Sequence, residues 1–318
     1  MVTKVFYLIK PLIPRRVQFA VRRFLVKKKL KKFSDIWPID PMANTVPAWF
    51  KGWPGGKKFA FIVTHDVEKA GGAAKICNLM EIDSRLRIIS AFGLVPERYV
   101  VETPLLDKIR SGGLEIYVHD LNHDGRLFSS YRLFHERAQK INYYLEAWGA
   151  VGFRAGAMHH NLDWIGELNI EYDMSTFDTD PFEPMPDGVN TIFPFVAVSE
   201  STNRTYVEIP YTLPQDLMTL VIHPDRTIDM WIKKLDWIVE NGGMACINVH
   251  PDYMSFNGDK PEFFQYASSD YIRFLEYVDK RYRSLMWNPS LSELVRFVKN
   301  STIGARGKEP PLPKADKA

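Results

Sequence analysis

Short apolar runs, each ended by a cluster of polar residues, alternate along this chain with segments whose apolar positions recur every three or four residues. The first run, KFAFIVT from residue 58, is continuous rather than alternating, as expected for a strand buried on both faces. Similar runs predict strands at 98–101, 114–118, 152–154, 171–175, 206–209, 220–223 and 246–249. Helical spacing is clearest over 131–148, where Phe134, Ala138, Ile141, Leu145 and Trp148 form one stripe. Residues 227–241, 269–281 and 291–300 read as further helices, the last behind a capping Ser290. Strand–helix alternation predicts an α/β fold, a parallel sheet with helices outside, open or closed into a barrel. In either form, functional residues gather at the C-terminal ends of the strands.

Charge divides the chain differently. It holds 41 Lys and Arg against 38 Asp and Glu, for a net charge of +3. Eleven of the bases and none of the acids fall within residues 1–34, so the remainder has 30 bases against 38 acids, a net of −8. Residues 15–33 predict a basic helix with Val17, Val21 and Phe24 on one face. Such a helix suits an anionic membrane surface, and it equally suits a solvated helix packed on the body. Basicity confined to one short arm argues against a nucleic-acid partner. The apolar stretch before it is broken by Lys10, Pro11 and Pro14 and is shorter than a bilayer span. No small-residue cleavage site follows, so the expected location is cytoplasmic, peripheral at the cytoplasmic membrane face if the arm docks there.

Residues 35–57 are rich in Pro, Gly and Trp, with Trp37, Trp49 and Trp53 expected to wrap over the body. The expected organisation is an arm and wrapping segment at 1–57, a barrel at 58–302 and a disordered tail at 303–318. Two cysteines, Cys77 and Cys246, make neither a disulfide framework nor a four-ligand zinc site.

Chemistry-bearing residues follow the apolar runs. In Thr64-His65-Asp66-Val67-Glu68, extended backbone would put Asp66 and Glu68 on one face; they could also be loop acids capping the next helix. In His119-Asp120-Leu121-Asn122-His123, two imidazoles four apart on one helical turn could share a metal ion. With a carboxylate pair from another strand, they would make the mixed donor set of a catalytic divalent metal. Arg154 ends another run and could bind a carboxylate. His250 ends the run before Pro251, the place for a strand-borne general acid or base, with Asp178 or Asp180 able to orient it. His159, His160, His223 and His135 read as loop, capping or structural residues. There is no GxSxG elbow, P-loop, HExxH, or GxGxxG after a strand.

The order Thr64-His65-Asp66-Val67-Glu68, His119-x-x-x-His123, Arg154, Asp178/Asp180, His250 resembles the polysaccharide deacetylases of the NodB-homology type, carbohydrate esterase family 4. The resemblance covers residues 58 to about 255. It implies a distorted (β/α)7-type barrel, a divalent metal, zinc in many members, and removal of acetyl groups from N-acetylated sugars. It further implies Asp66 as catalytic base, Arg154 as the residue holding it, His250 as general acid and Asp180, or else Asp178, as its acidic partner. Glu68, His119 and His123 would be the metal ligands. One departure stands out: the family's first motif has two adjacent aspartates, whereas here Val67 intervenes before Glu68, so the roles of Asp66 and Glu68 could be exchanged. The third motif also has Ala155-Gly156-Ala157 where a proline is usual. The implied substrate is an acetylated glycan, whether polymer, oligosaccharide or lipid-linked precursor. Rival readings are a catalytically altered glycan-binding relative at a membrane surface and an amidohydrolase acting on a non-sugar C–N bond.

Overall fold

A nine-residue strand, β1 (Phe59–Val67), organises the molecule; all of its residues are buried. The computed structural model that contains it describes residues 14–303. The start of the basic arm and all but the first residue of the expected tail lie outside these. Parallel partners flank β1 on both sides, β2 (Ser90–Leu94) and β8 (Met244–Val249). From β2 the parallel order continues through β3 (Glu115–His119), β4 (Gly152–Arg154), β5 (Tyr172–Asp173) and β7 (Thr205–Glu208). The antiparallel β6 (Phe195–Val198) pairs with β7 at the end of the order. The chain after β7 returns to β8 by hydrogen bonds: the Thr212 and Leu213 amides both donate to the Cys246 carbonyl at 3.0 Å. The result is an α/β fold with a strongly curved parallel sheet at its centre.

Among the described residues, seven helices of nine or more residues accompany it: α1 (Arg15–Leu30), α2 (Ile76–Arg85), α3 (Thr103–Ser111), α4 (Tyr131–Ala147), α5 (Asp229–Asn241), α6 (Ser268–Tyr282) and α7 (Leu291–Ile303). α4 buries Phe134, Ala138, Ile141 and Leu145, the stripe seen in its sequence. At the start of α7, Ser290 Oγ accepts from the Glu293 amide while Glu293 accepts from the Ser290 amide, a reciprocal capping box.

Several expected elements differ. Residues 98–101 are turn and loop; the strand is the preceding Ser90–Leu94, buried along its whole length. The expected strand at 220–223 is instead a π-helical turn, Leu217–Ile222, buried over Met218–Ile222. A continuous apolar run reports burial, and burial alone does not separate strand from helix. The strand expected at 171–175 is confined to Tyr172–Asp173.

The basic helix packs on the body through the face opposite to Val17, Val21 and Phe24. Phe19, Val26 and Leu30 meet Trp37, Phe182, Met218 and Ile222. Arg23 fastens it, with Nε donating to the Val221 carbonyl at 2.9 Å and a terminal nitrogen to the Phe263 carbonyl at 2.7 Å. Trp37, Trp49 and Trp53 are all buried, and Trp53 Nε1 donates to the Gly242 carbonyl at 2.7 Å.

Candidate active site

Period-two alternation sorts the residues of β1. His65 points into the helix layer, where its Nε2 lies 2.7 Å from Asp83 Oδ2, while Thr64 and Asp66 point inward. Asp83 also accepts from Ser90 and Tyr271, so the outer face of β1 is tied to α2 and α6.

On the inner face of the sheet Asp66 is held from three directions. Its Oδ1 accepts from the Tyr117 hydroxyl at 2.5 Å and from Arg154 at 3.2 Å; its Oδ2 accepts from Asn248 Nδ2 at 2.7 Å. Tyr117, Arg154 and Asn248 come from β3, β4 and β8. Arg154 is itself fully buried, donating also to Thr64 Oγ1 at 2.9 Å and, through Nε, to the Met174 carbonyl at 2.9 Å. Burial would raise the pKa of Asp66, but Arg154, His119, His250 and the Tyr117 hydroxyl outweigh it and hold the carboxyl far below the usual range. Asp66 is therefore an ionised, oriented carboxylate. Room for Tyr117 is made on β2, where a Cβ on Gly93 would collide with the Tyr117 ring.

Glu68, just past the end of β1, stands beside it. Its amide donates to Asp252 at 2.8 Å and its Oε2 accepts from the Tyr253 hydroxyl at 3.3 Å. Its Oε1 faces His123 Nε2 at 3.4 Å and His250 Nε2 at 4.0 Å. Burial pushes the Glu68 carboxyl up, but His123, His250 and His119 together draw it down to about 2.

The His119–His123 segment is not a helical turn. His119 ends β3, and Asp120 and His123 both adopt positive φ, +57° and +51°. The loop nonetheless returns His123 to within 4.8 Å of the His119 ring, centroid to centroid. Asp120 shapes it by accepting from the Leu121 and Gly156 amides. His119 Nδ1 lies 3.1 Å from the Arg154 carbonyl. The proton therefore belongs on Nδ1, and the lone pair on Nε2 faces inward. That Nε2 is buried with no hydrogen-bond partner, 3.7 Å from Asp66 Oδ2. Burial lowers the pKa of His119 to about 4, so the ring is neutral at physiological pH.

His250 follows β8. Asp216 holds it twice: Oδ1 accepts from Nδ1 at 2.7 Å and Oδ2 accepts from the His250 amide at 2.7 Å. The Nε2 atom is thereby aimed at Asp66 Oδ2, 3.9 Å away. Burial works against a charged ring, yet Asp216, Glu68 and Asp66 prevail and raise its pKa to about 10.

The expected partnership of His250 with Asp180 or Asp178 is thus corrected. Asp180 accepts from the Phe182 amide at 2.9 Å and from the Tyr211 hydroxyl at 3.2 Å. Asp178 forms a buried ion pair with Lys234 at 2.6 Å. The acid on His250 is Asp216, which the sequence reading did not single out; its one local signal is its place as a carboxylate just before an apolar run. Tyr117, Asn248, Asp252 and Tyr253 were also missed; only their places on or just after apolar runs could have flagged them. His160 lies 3.6 Å from Asp187, His135 pairs with Glu167 on an exposed helix face, and His223 lies beside Asp225, outside the cluster.

Asp66, Glu68, His119, His123 and His250 therefore converge from three strand ends, backed by Arg154 and Asp216. Among the described residues, no group of three or more His, Cys, Asp or Glu is arranged as a ready-made metal site. The donor set still suits a divalent cation: the orphaned, deprotonated His119 Nε2 faces inward among carboxylate oxygens and a second imidazole.

No protein-family model and no curated protein matches the sequence. Solved structures do match the fold. A protein assigned as a polysaccharide deacetylase from Mycobacterium smegmatis has a TM-score of 0.64 at 17% identity, over 84% of this chain and 99% of that one. Puue allantoinase has a TM-score of 0.61 at 15% identity, over 86% and 99%. A second protein assigned as a polysaccharide deacetylase, from Pseudomonas aeruginosa, has 0.57 at 14% identity, over 80% and 95%. This α/β chain has the fold of the polysaccharide deacetylases, its ionisable cluster lying at the C-terminal ends of the parallel strands.

Proposed function

We propose that the chain is a metal-dependent hydrolase that removes the acetyl group from an N-acetylated sugar of a glycan or glycan precursor. The observation that carries this reading is the juxtaposition of an ionised carboxylate, Asp66, and a protonated imidazole, His250, across a space also faced by Glu68, His119 and His123. In this reading Glu68, His119 and His123 hold a divalent cation such as zinc. When bound, that ion supplies Lewis acidity, polarising the acyl carbonyl and lowering the pKa of water.

The chain's own residues divide the proton chemistry. Arg154, Tyr117 and Asn248 keep Asp66 ionised and turn the free lone pair of its Oδ2 toward the site. Asp66 is the base that takes a proton from the attacking water. His250, kept protonated by Asp216, delivers a proton from Nε2 to the departing amine. Val67 between the two acids is compatible with this division, because Asp66 and Glu68 both reach the site from one strand end.

The likeness to Puue allantoinase supports a second reading, hydrolysis of a C–N bond in a small non-sugar amide. Acetate release from an N-acetylated oligosaccharide by the zinc-reconstituted protein separates the two. Release that is lost in Asp66→Asn supports the deacetylase. Hydrolysis of a cyclic amide without acetate release supports the second reading. Zinc binding with turnover of neither would assign a binding role instead.

A further inference from the structure

α1 carries two apolar faces, and the fold uses one of them. Phe19, Val26 and Leu30 are spent on the body. Val17, Val21, Phe24 and Leu25 recur one helical turn apart on the other side and stay in solvent, Phe24 at 67% exposure and Val21 at 52%. A monomer gains nothing from an exposed Phe on a helix that is already anchored, and contiguous exposed apolar side chains mark a contact surface. Exposed bases accompany this face, Arg16 near its start and Lys27, Lys28 and Lys31 at its end. No acidic residue occurs before Asp35, although the rest of the chain has a net charge of −8.

We infer that the outward face of α1 docks on an anionic lipid surface, with Val17, Val21, Phe24 and Leu25 entering the headgroup boundary and the lysines lying among the anionic headgroups. Charge complementarity selects this occupant. A second copy would bring two acid-free basic helices face to face and repel. Among the described residues the face is the convex flank of a single helix, a shape that does not seat a peptide. An anionic lipid interface complements its charge and can admit a convex apolar flank, and apolar insertion adds to Lys and Arg attraction there. The helix is fastened to the body by the Arg23 hydrogen bonds to the Val221 and Phe263 carbonyls, so the stripe is already formed before contact. Its inner face covers the turn that begins just after Asp216, the residue that holds His250.

The test is co-sedimentation of the full chain with phosphatidylcholine vesicles, with and without about one third phosphatidylglycerol. The inference expects binding to the anionic vesicles alone, weakening as salt shortens the Debye length. Val21→Asp with Phe24→Asp should weaken binding by at least about tenfold, because two apolar side chains no longer enter the interface. Replacing Lys27, Lys28 and Lys31 with Gln should weaken it too and flatten its salt dependence. These positions are exposed, so unchanged circular dichroism and melting would show each variant folded. Three results would overturn the inference: no sedimentation with anionic vesicles, binding of the aspartate variant within about twofold of wild type, or a dimer lost in that variant with no vesicle binding. None of these readouts depends on the deacetylase reading.

Discussion

Asp216 grips His250 at both ends, one carboxylate oxygen on the ring Nδ1 and the other on the backbone amide, each at 2.7 Å. Tyr266 donates to the same carboxylate at 2.8 Å and fixes its orientation. The pair lies 34 residues apart in sequence and joins the turn before Leu217–Ile222 to the end of β8. It sets both the direction and the proton affinity of His250.

Asp216→Asn is expected to lower kcat by about tenfold or more and to move the basic limb of the pH profile downward. The sign follows from the role of His250: a general acid must be protonated, and activity falls as pH rises through its pKa. With Asp216 that pKa is raised to about 10; without it, the burial that disfavours the charged ring acts with less opposition. The same shift links to stability. The folded value exceeds the unfolded value of about 6.5, so the contribution is whole below pH 6.5 and is lost as pH rises toward 10. The stability gap between wild type and variant should therefore narrow across that window. A basic limb that does not move on substitution would remove Asp216 from this role.

Metal content gives a second check. The zinc-reconstituted protein should carry about one ion per chain, and the His119→Ala/His123→Ala variant should carry almost none. Chelation should abolish turnover and zinc should restore it. Because His119 stays neutral down to about pH 4, its Nε2 needs no deprotonation to bind at neutral pH. Full metal retention in the double variant, measured by atomic emission, would place the ion elsewhere.

Gly93→Ala tests how Asp66 is positioned. The new methyl would strike the Tyr117 ring, whose hydroxyl donates to Asp66. Overpacking should cost about 1–3 kcal/mol in denaturant unfolding. Turnover should fall further than that loss of folded protein explains. Wild-type kcat in a destabilised Gly93→Ala would show that the Tyr117 contact is dispensable.

The buried Asp178–Lys234 pair, taken away from catalysis by the structure, should behave as a structural ion pair. Asp178→Ala alone should destabilise by about 3–5 kcal/mol, because it strands a buried ammonium. Asp178→Leu combined with Lys234→Met should cost far less. A double-mutant cycle with no coupling energy would contradict the 2.6 Å contact.

Much of this protein is decided locally, and that much can be read from its residues. Period-two geometry on β1 points Thr64 and Asp66 inward and His65 outward, while the 3.6-residue period of α4 selects its buried stripe. The order of polar clusters after apolar runs marks the strand ends from which Asp66, Glu68, His119, His123, Arg154 and His250 converge. What depends on contacts between distant segments is not encoded in any local period. The run at 220–223 is apolar because it is buried, yet it coils as a π-helical turn, and that turn carries Asp216 rather than Asp180 to His250. The basic helix has apolar residues on two sides, and periodicity cannot say which side meets the body. Only the packing of Phe19, Val26 and Leu30 against Met218 and Ile222 decides that Val21 and Phe24 face outward.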